Sequence, residues 1–449
     1  MIGMFGNPVR AYNVVICSLG NSPAGRTWSM RSIFVLRYVV YFVLVVSALM
    51  EGALQLFGGF LGDAGMNLEE RRKRWREATQ VMLEERKDAL AVFDPVLGWR
   101  PQAGLSSGPN VINRLGLRST VEYTVKPPKG KTRVSVFGDS FVYGSGVQGT
   151  EAWPSILENA IPGIEVLNYG VPGYGPDQAY LRFRAEFLSV NPHIAIFAIS
   201  TPALRRILNR SAVFLGTSPD FVAKPRYILD AQEELILLPN PIQKLSEANR
   251  FVDDPSLYLA FGQFDYWYDP RVFDESFLQN SAVYRAVAWT WSGVKRRYLD
   301  PDRPYAGFPF QGQFNRSSSA FKILVRLIHR FREDAIAAGV RPVILVLPDN
   351  DSMVRYWDGK AGTMDPLTAY CMEEGLACID ATEAFRLQPR HSVVRDWFVD
   401  GFHYSVEGNR IVAQWLAQKI DFKDLHAGGA NRSPAEVKKV RSHSLGGSN

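Results

Sequence analysis

The chain has 449 residues, 46% of them hydrophobic and 21% charged, which excludes a mainly disordered protein. A formal net charge of +6 is small for this length, and the basic residues are scattered or lie near the termini, so no nucleic-acid partner is read from it. Three cysteines and six histidines show no metal-ligand spacing, and no cofactor is implied.

Residues 1–31 are rich in Gly, Pro, Asn and Ser and read as a disordered, cytoplasmic N-terminus. Residues 32–62 read as a transmembrane anchor. Between Tyr38 and Leu61 the only charge is Glu51, and a helix over about Ile33 to Phe57 is long enough to span a bilayer. Arg37 can snorkel toward cytoplasmic headgroups. A cleaved signal peptide competes with this reading, but the stretch is long for a signal h-region and lacks a convincing A-x-A site. The positive-inside rule favours a cytoplasmic amino terminus, while R-R-K-R-W-R at Arg71–Arg76 puts more positive charge on the other side. The expected localisation is a single-pass membrane protein with its main domain outside the cytoplasm, in the periplasm.

Residues 63–92 are charged with Leu68, Trp75, Val81, Met82 and Leu90 interspersed, and read as an exposed helical stalk. Next come D-P-V-L-G-W-R-P at Asp94–Pro101 and N-R-L-G-L-R at Asn113–Arg118, a turn-rich lead-in with Asn113 and Arg118 as candidate lip residues.

The apolar run Val134–Phe137 then reads as a buried strand. Gly138, Asp139 and Ser140 follow where it ends, with Gly144 and Gly146 beyond. A hydroxyl at the carboxyl end of a strand is a sensible nucleophile, since ligands of open α/β sheets bind there. A helix is predicted near Trp153–Ala160 and a strand over Glu165–Asn168. A second helix and strand follow over Gln178–Leu188 and Ile194–Ile199. Later come a helix over Phe321–Ala338, a strand over Pro342–Leu347 and a short strand over Cys378–Asp380. Alternation of this kind implies a parallel sheet with helices on both faces.

Residues 209–319 interrupt that alternation and carry F-G-Q-F-D-Y-W-Y-D-P and A-V-A-W-T-W. Their aromatics read as a satellite core, with sugar stacking as the sharper alternative. A segment this long inside a compact domain is expected to be a lid or binding element that sets substrate choice. Cys371 and Cys378 are close enough in sequence to pair outside the cytoplasm, or to remain two buried thiols, while Cys17 precedes the anchor.

Asp400-Gly401-Phe402-His403 precedes a helix capped by Ser405. A serine needs a base, and the base needs an orienting carboxylate. Asp400 and His403 stand three apart, so one turn can join them. Residues 425–449 read as a disordered tail.

G-D-S-F-V-Y-G-S-G-V, N-Y-G-V-P-G-Y-G-P-D-Q at Asn168–Gln178 and D-G-F-H-Y-S-V-E-G-N-R occur in this order. Together they resemble the nucleophile, glycine and Asp/His blocks of the GDSL, or SGNH, family of serine esterases and acyl-transfer enzymes. The resemblance covers roughly Phe93 to Ile420. It implies a three-layer α/β/α fold in residues 93–424, with Ser140 as nucleophile, His403 as general acid/base and Asp400 as its orienter. It implies an oxyanion hole from the backbone N–H groups of Ser140 and Gly170, while Gly173 and Gly175 read as plain loop. The family's third donor is an asparagine side chain just past the third strand. This chain has Pro202 there, which donates nothing. The hydroxyls of Ser200 and Thr201 are the candidate replacements. The implied partner is an acylated carbohydrate or another ester. A degenerate glycan-binding or envelope-assembly protein is the alternative, supported by the missing asparagine.

Overall fold

A computed structural model describes residues 30–57, 62, 64–83, 89–211, 214, 223–306, 312–388 and 396–422. The expectations for the extreme N-terminus, Cys17 and the C-terminal tail lie outside the described residues. The chain divides into two units, Met1–Leu56 and Phe57–Asn449.

The first unit carries α1, Met30–Phe57. Its stretch Phe34–Leu56 has a mean hydropathy of 1.9 and is long and apolar enough to cross a membrane. Glu51 Oε1 accepts a hydrogen bond from Gln55 Nε2 at 2.7 Å, so the charge and the amide of its second half meet across one helical turn.

In the second unit, α2 (Leu68–Leu83) leads to a hairpin of β1 (Ala91–Asp94) and β2 (Gly98–Pro101). The sheet is then built from β3 (Thr132–Gly138), β4 (Ile164–Gly170), β5 (Ile194–Ser200), β6 (Arg341–Leu347) and β7 (Cys378–Asp380). Their spatial order is β7-β6-β5-β3-β4, and every pairing is parallel. β3, β4 and β5 are buried along their whole length, as strands covered on both faces are. The connections are α3 (Ser140–Tyr143), α4 (Trp153–Ala160), α5 (Pro176–Glu186) and α6 (Ser319–Ala337), and α7 (Val406–Lys419) closes the domain.

Two apolar clusters show the three layers. Val134 and Val136 pack with Trp153, Leu157, Val412 and Leu416 on one face; Phe137 packs with Phe183, Leu324 and Phe331 on the other. The chain runs from β3 to β4 on one side and then crosses to β5 on the other. The carboxyl end of β3 therefore sits at a topological switch point, where such sheets open a crevice.

The insert forms a third cluster from Phe214, Phe261, Trp267, Val272 and Phe273, and Trp75 of α2 belongs to it at 4% exposure. The stalk expectation is corrected here. α2 turns one face, with Leu68, Trp75 and Thr79 buried, onto the insert. Its charge density misled because the Arg71 and Arg72 guanidinium groups also fold onto that face, Arg71 lying over the Trp289 ring at 4.8 Å.

Candidate active site

The turn that carries Ser140 is fixed by Asp139. Its Oδ1 caps α3 by accepting from Phe141 N at 3.0 Å, and its Oδ2 accepts from Ser200 Oγ at 2.5 Å and Arg206 Nη1 at 3.3 Å. Glycine at 138 is required by close approach: a Cβ there would lie 2.5 Å from Val142 Cγ2 and 3.1 Å from Ala198 O. Ser140 thus opens a short helix at the strand end and is 4% exposed.

His403 arrives from the far end of the chain. Its Nε2 is 3.0 Å from Ser140 Oγ, and its Nδ1 is 3.3 Å from Asp400 Oδ2. With Nδ1 protonated, the ring donates to the carboxylate and accepts the serine proton. Asp400 adopts φ 51°, a left-handed conformation that a short polar side chain tolerates, and Gly401 follows at φ 70°. Asp400 Oδ1 accepts from the backbone N–H groups of Phe402 and His403, at 3.2 and 3.1 Å. The imidazole lies perpendicular to the Phe402 ring at 4.8 Å. Its side chain is 19% exposed, whereas that of Asp400 is 57% exposed.

Two residues join the serine and histidine segments and carried no role in the sequence reading. Trp153 Nε1 donates to Phe141 O at 3.1 Å, and Trp153 N donates to Asn409 Oδ1 at 3.0 Å. Asn409 Nδ2 donates onward to Tyr404 O at 3.2 Å. Asn409 lies inside the Asp/His block, and a buried amide at a helix start was the available signal.

The oxyanion expectations are corrected at three residues. Gly170 N donates to Asn168 Oδ1 at 2.9 Å and is not free for a ligand. Glycine is needed there because a Cβ would collide with Tyr143 N and Val142 C of α3. Ser200 is fully buried and spends its hydroxyl on Asp139. Thr201, 3% exposed, pairs its Oγ1 with Ser352 Oγ at 3.2 Å, and Ser352 in turn donates to Asp349 Oδ1 at 2.5 Å. Neither hydroxyl replaces the asparagine.

What remains is backbone. Val171 N donates to Gly138 O, Tyr174 N to Val171 O and Gly175 N to Gln178 Oε1, and Pro172 has no N–H. Among the described residues, the N–H groups of Ser140 and Gly173 meet no acceptor.

A cleft of about 800 Å³ opens beside these elements, lined by Asn110, Arg118, Tyr143, Gly146, Gln148, Glu151, Pro172, Asp396, Val399 and Glu407 among others. Arg118 lies over the Tyr143 ring at 3.9 Å, and its Nη2 donates to Val147 O at 2.6 Å. Burial pushes its guanidinium below the usual arginine value. Asn113 is not a lip residue: its side chain organises the lead-in loop, donating to Val121 O and accepting from Leu115 and Leu117 N–H. Among the described residues, the insert contributes none of the lining side chains.

No family model matches the chain, and no curated protein matches it. Solved structures do. One is described as a lipolytic protein of the G-D-S-L family from Desulfitobacterium hafniense, 14% identical, covering 65% of this chain and 100% of that one at a TM-score of 0.31. The chain is similar to G-D-S-L-family structures. A GDSL-like lipase from Bacteroides thetaiotaomicron matches at 12% identity, 65% and 89% coverage and a TM-score of 0.31. A two-domain esterase active on acetylated mannans matches at 10% identity, 69% and 52% coverage and a TM-score of 0.29.

Proposed function

We propose that this chain is a membrane-anchored serine esterase or acyltransferase acting on O-acyl groups. The observation that carries the reading is the hydrogen-bonded line Ser140–His403–Asp400, drawn from residues 263 positions apart at the carboxyl end of a parallel sheet. Ser140 Oγ attacks the ester carbonyl carbon while His403 Nε2 takes its proton. The carbonyl oxygen becomes an oxyanion, met by the N–H groups of Ser140 and Gly173. The C–O bond to the alcohol then breaks, and the imidazolium returns the proton to the leaving oxygen. Water or a sugar hydroxyl attacks the acyl-serine by the same steps in reverse. No residue in this scheme calls for a metal or organic cofactor.

Our preferred substrate class is an acylated carbohydrate. Gln148 and Glu151 line the cleft with polar side chains, and Leu90, Pro172 and Val399 offer apolar faces. The anchor rests on the length and apolarity of Phe34–Leu56.

A second reading is favoured by one observation, the spent hydroxyls of Ser200 and Thr201. A missing oxyanion donor costs about a hundred- to a thousand-fold in rate. A glycan-binding protein without turnover fits that loss. Fluorophosphonate labelling and nitrophenyl acetate hydrolysis distinguish the two. On the enzyme reading, the full chain in membranes labels and turns over, Ser140→Ala does neither, and protein starting at Asn67 is soluble and still labels. A wild-type chain that resists the probe sinks the enzyme reading; an insoluble shortened chain sinks the anchor.

A further inference from the structure

The lead-in hairpin does more than precede the sheet. The Trp99 indole Nε1 donates to the carbonyl oxygen of Pro172 at 3.1 Å, across 73 residues. Pro172 and Gly173 are the central residues of a turn closed by Tyr174 N donating to Val171 O at 3.2 Å, and Gly173 has φ 84°. Proline followed by a positive-φ glycine is the pattern of a type II turn. The Pro172 carbonyl and the Gly173 N–H belong to one trans peptide, so they point in opposite directions. Whatever grips the carbonyl therefore aims the N–H.

That aim needs fixing. Type I and type II turns differ mainly by a flip of the central peptide, and glycine at the third position accepts both. A flip would reverse the N–H. Around it, the loop is already held. Tyr174 Oη donates to Trp99 O at 2.5 Å, its ring meets the Trp99 ring edge-on at 5.4 Å, and Gln178 Nε2 donates to Leu97 O at 2.7 Å. From the other side, Arg206 Nη1 reaches both Tyr174 O and Asp139 Oδ2, each at 3.3 Å, tying the turn to the nucleophile's own cap. A Cβ on Gly173 would come within 3.2 Å of Trp99 Cζ2, so the indole lies directly against the turn. Of these contacts, only the indole N–H engages the central peptide itself.

Resting on the acyl-transfer reading, we propose that Trp99 is a positioning residue that locks the Pro172–Gly173 peptide with its N–H toward the Ser140 oxyanion. A hole built from two backbone donors, with no side-chain third, then depends on a residue of the lead-in for half its donors.

The test uses the full chain and nitrophenyl acetate. Trp99→Phe keeps a ring and loses the N–H. The expected result is a fall in kcat of about ten- to a hundred-fold with KM within about twofold. The pH profile should not move, because His403 is untouched. Fluorophosphonate labelling should slow in parallel, since its adduct also places an oxygen in the hole. If Trp99→Phe fails to fold, 3-benzothienylalanine at position 99 preserves the shape and removes only the donor. Unchanged kcat in the folded variant overturns the proposal, as does a rise in KM alone. Full activity in Ser140→Ala would instead sink the acyl-transfer reading and leave the turn geometry standing.

Discussion

Asp400 is placed unusually for the orienting carboxylate we propose it to be. It is more than half exposed, and its 3.3 Å contact with Nδ1 is long. Water screens such a pair, so its electrostatic support is smaller than that of a buried carboxylate. Its other oxygen, however, sets the backbone of the His403 turn through two N–H bonds. Asp400→Asn keeps an oxygen for that turn and removes the charge. We expect kcat to drop roughly ten- to a hundred-fold, against about ten-thousand-fold where such a carboxylate is buried. Steady-state kinetics check this, and a loss matching that of His403→Ala would contradict it. The meeting of Ser140, His403 and Asp400 was legible because each belongs to a motif whose proposed chemistry needs that residue type. Gly170 was misassigned because a glycine announces only close approach, not which way its N–H points. Ser200 and Thr201 were misassigned because their buried partners, Asp139 and Ser352, lie 61 and 151 positions away.

At the scale of elements, the central strands β3 and β5 were visible as apolar runs, because a strand covered on both faces has little choice of residue. The helix after Asn67 was visible, but not its burial. One tryptophan among many charges gives little periodic signal, and the cluster that takes Trp75 forms from residues more than a hundred positions later. The join between glycine block and insert was equally hidden. Lys224 Nζ pairs with Asp177 Oδ2, and both are buried. Burial pushes the Asp177 carboxyl up and the Lys224 ammonium down, while each partner's charge opposes the other's shift. Removing one partner strands the other. Lys224→Met should cost about 3 to 5 kcal/mol in urea unfolding, and Asp177→Leu added to it should recover much of that loss. If the double variant is less stable than the single one, the pair is not the reason.

For the whole molecule, stability should carry a signature of Asp265 in the insert. Burial raises its carboxyl from 3.8 to about 6, against N–H donors from Arg210, Ser211 and Trp267 that favour the anion. The folded protein therefore holds this proton more tightly than the unfolded chain. Its contribution is full below about pH 4 and is lost as pH rises through about 6, roughly 3 kcal/mol in total. Asp265→Asn should flatten that part of the profile, measured as denaturation midpoints between pH 4 and 7. An equal slope in the variant would assign the dependence to other groups.

The 263 positions that separate Ser140 from His403 also order events during synthesis. Trp99 leaves the ribosome long before the turn it grips, and Ser140 follows without its imidazole partner. β3, β4 and β5 can pair while the chain is still growing. The imidazole is made 263 positions after the hydroxyl it meets. A fragment ending before His403 therefore lacks the Ser140–His403 hydrogen bond, and the pair forms only after every strand of the sheet has been made.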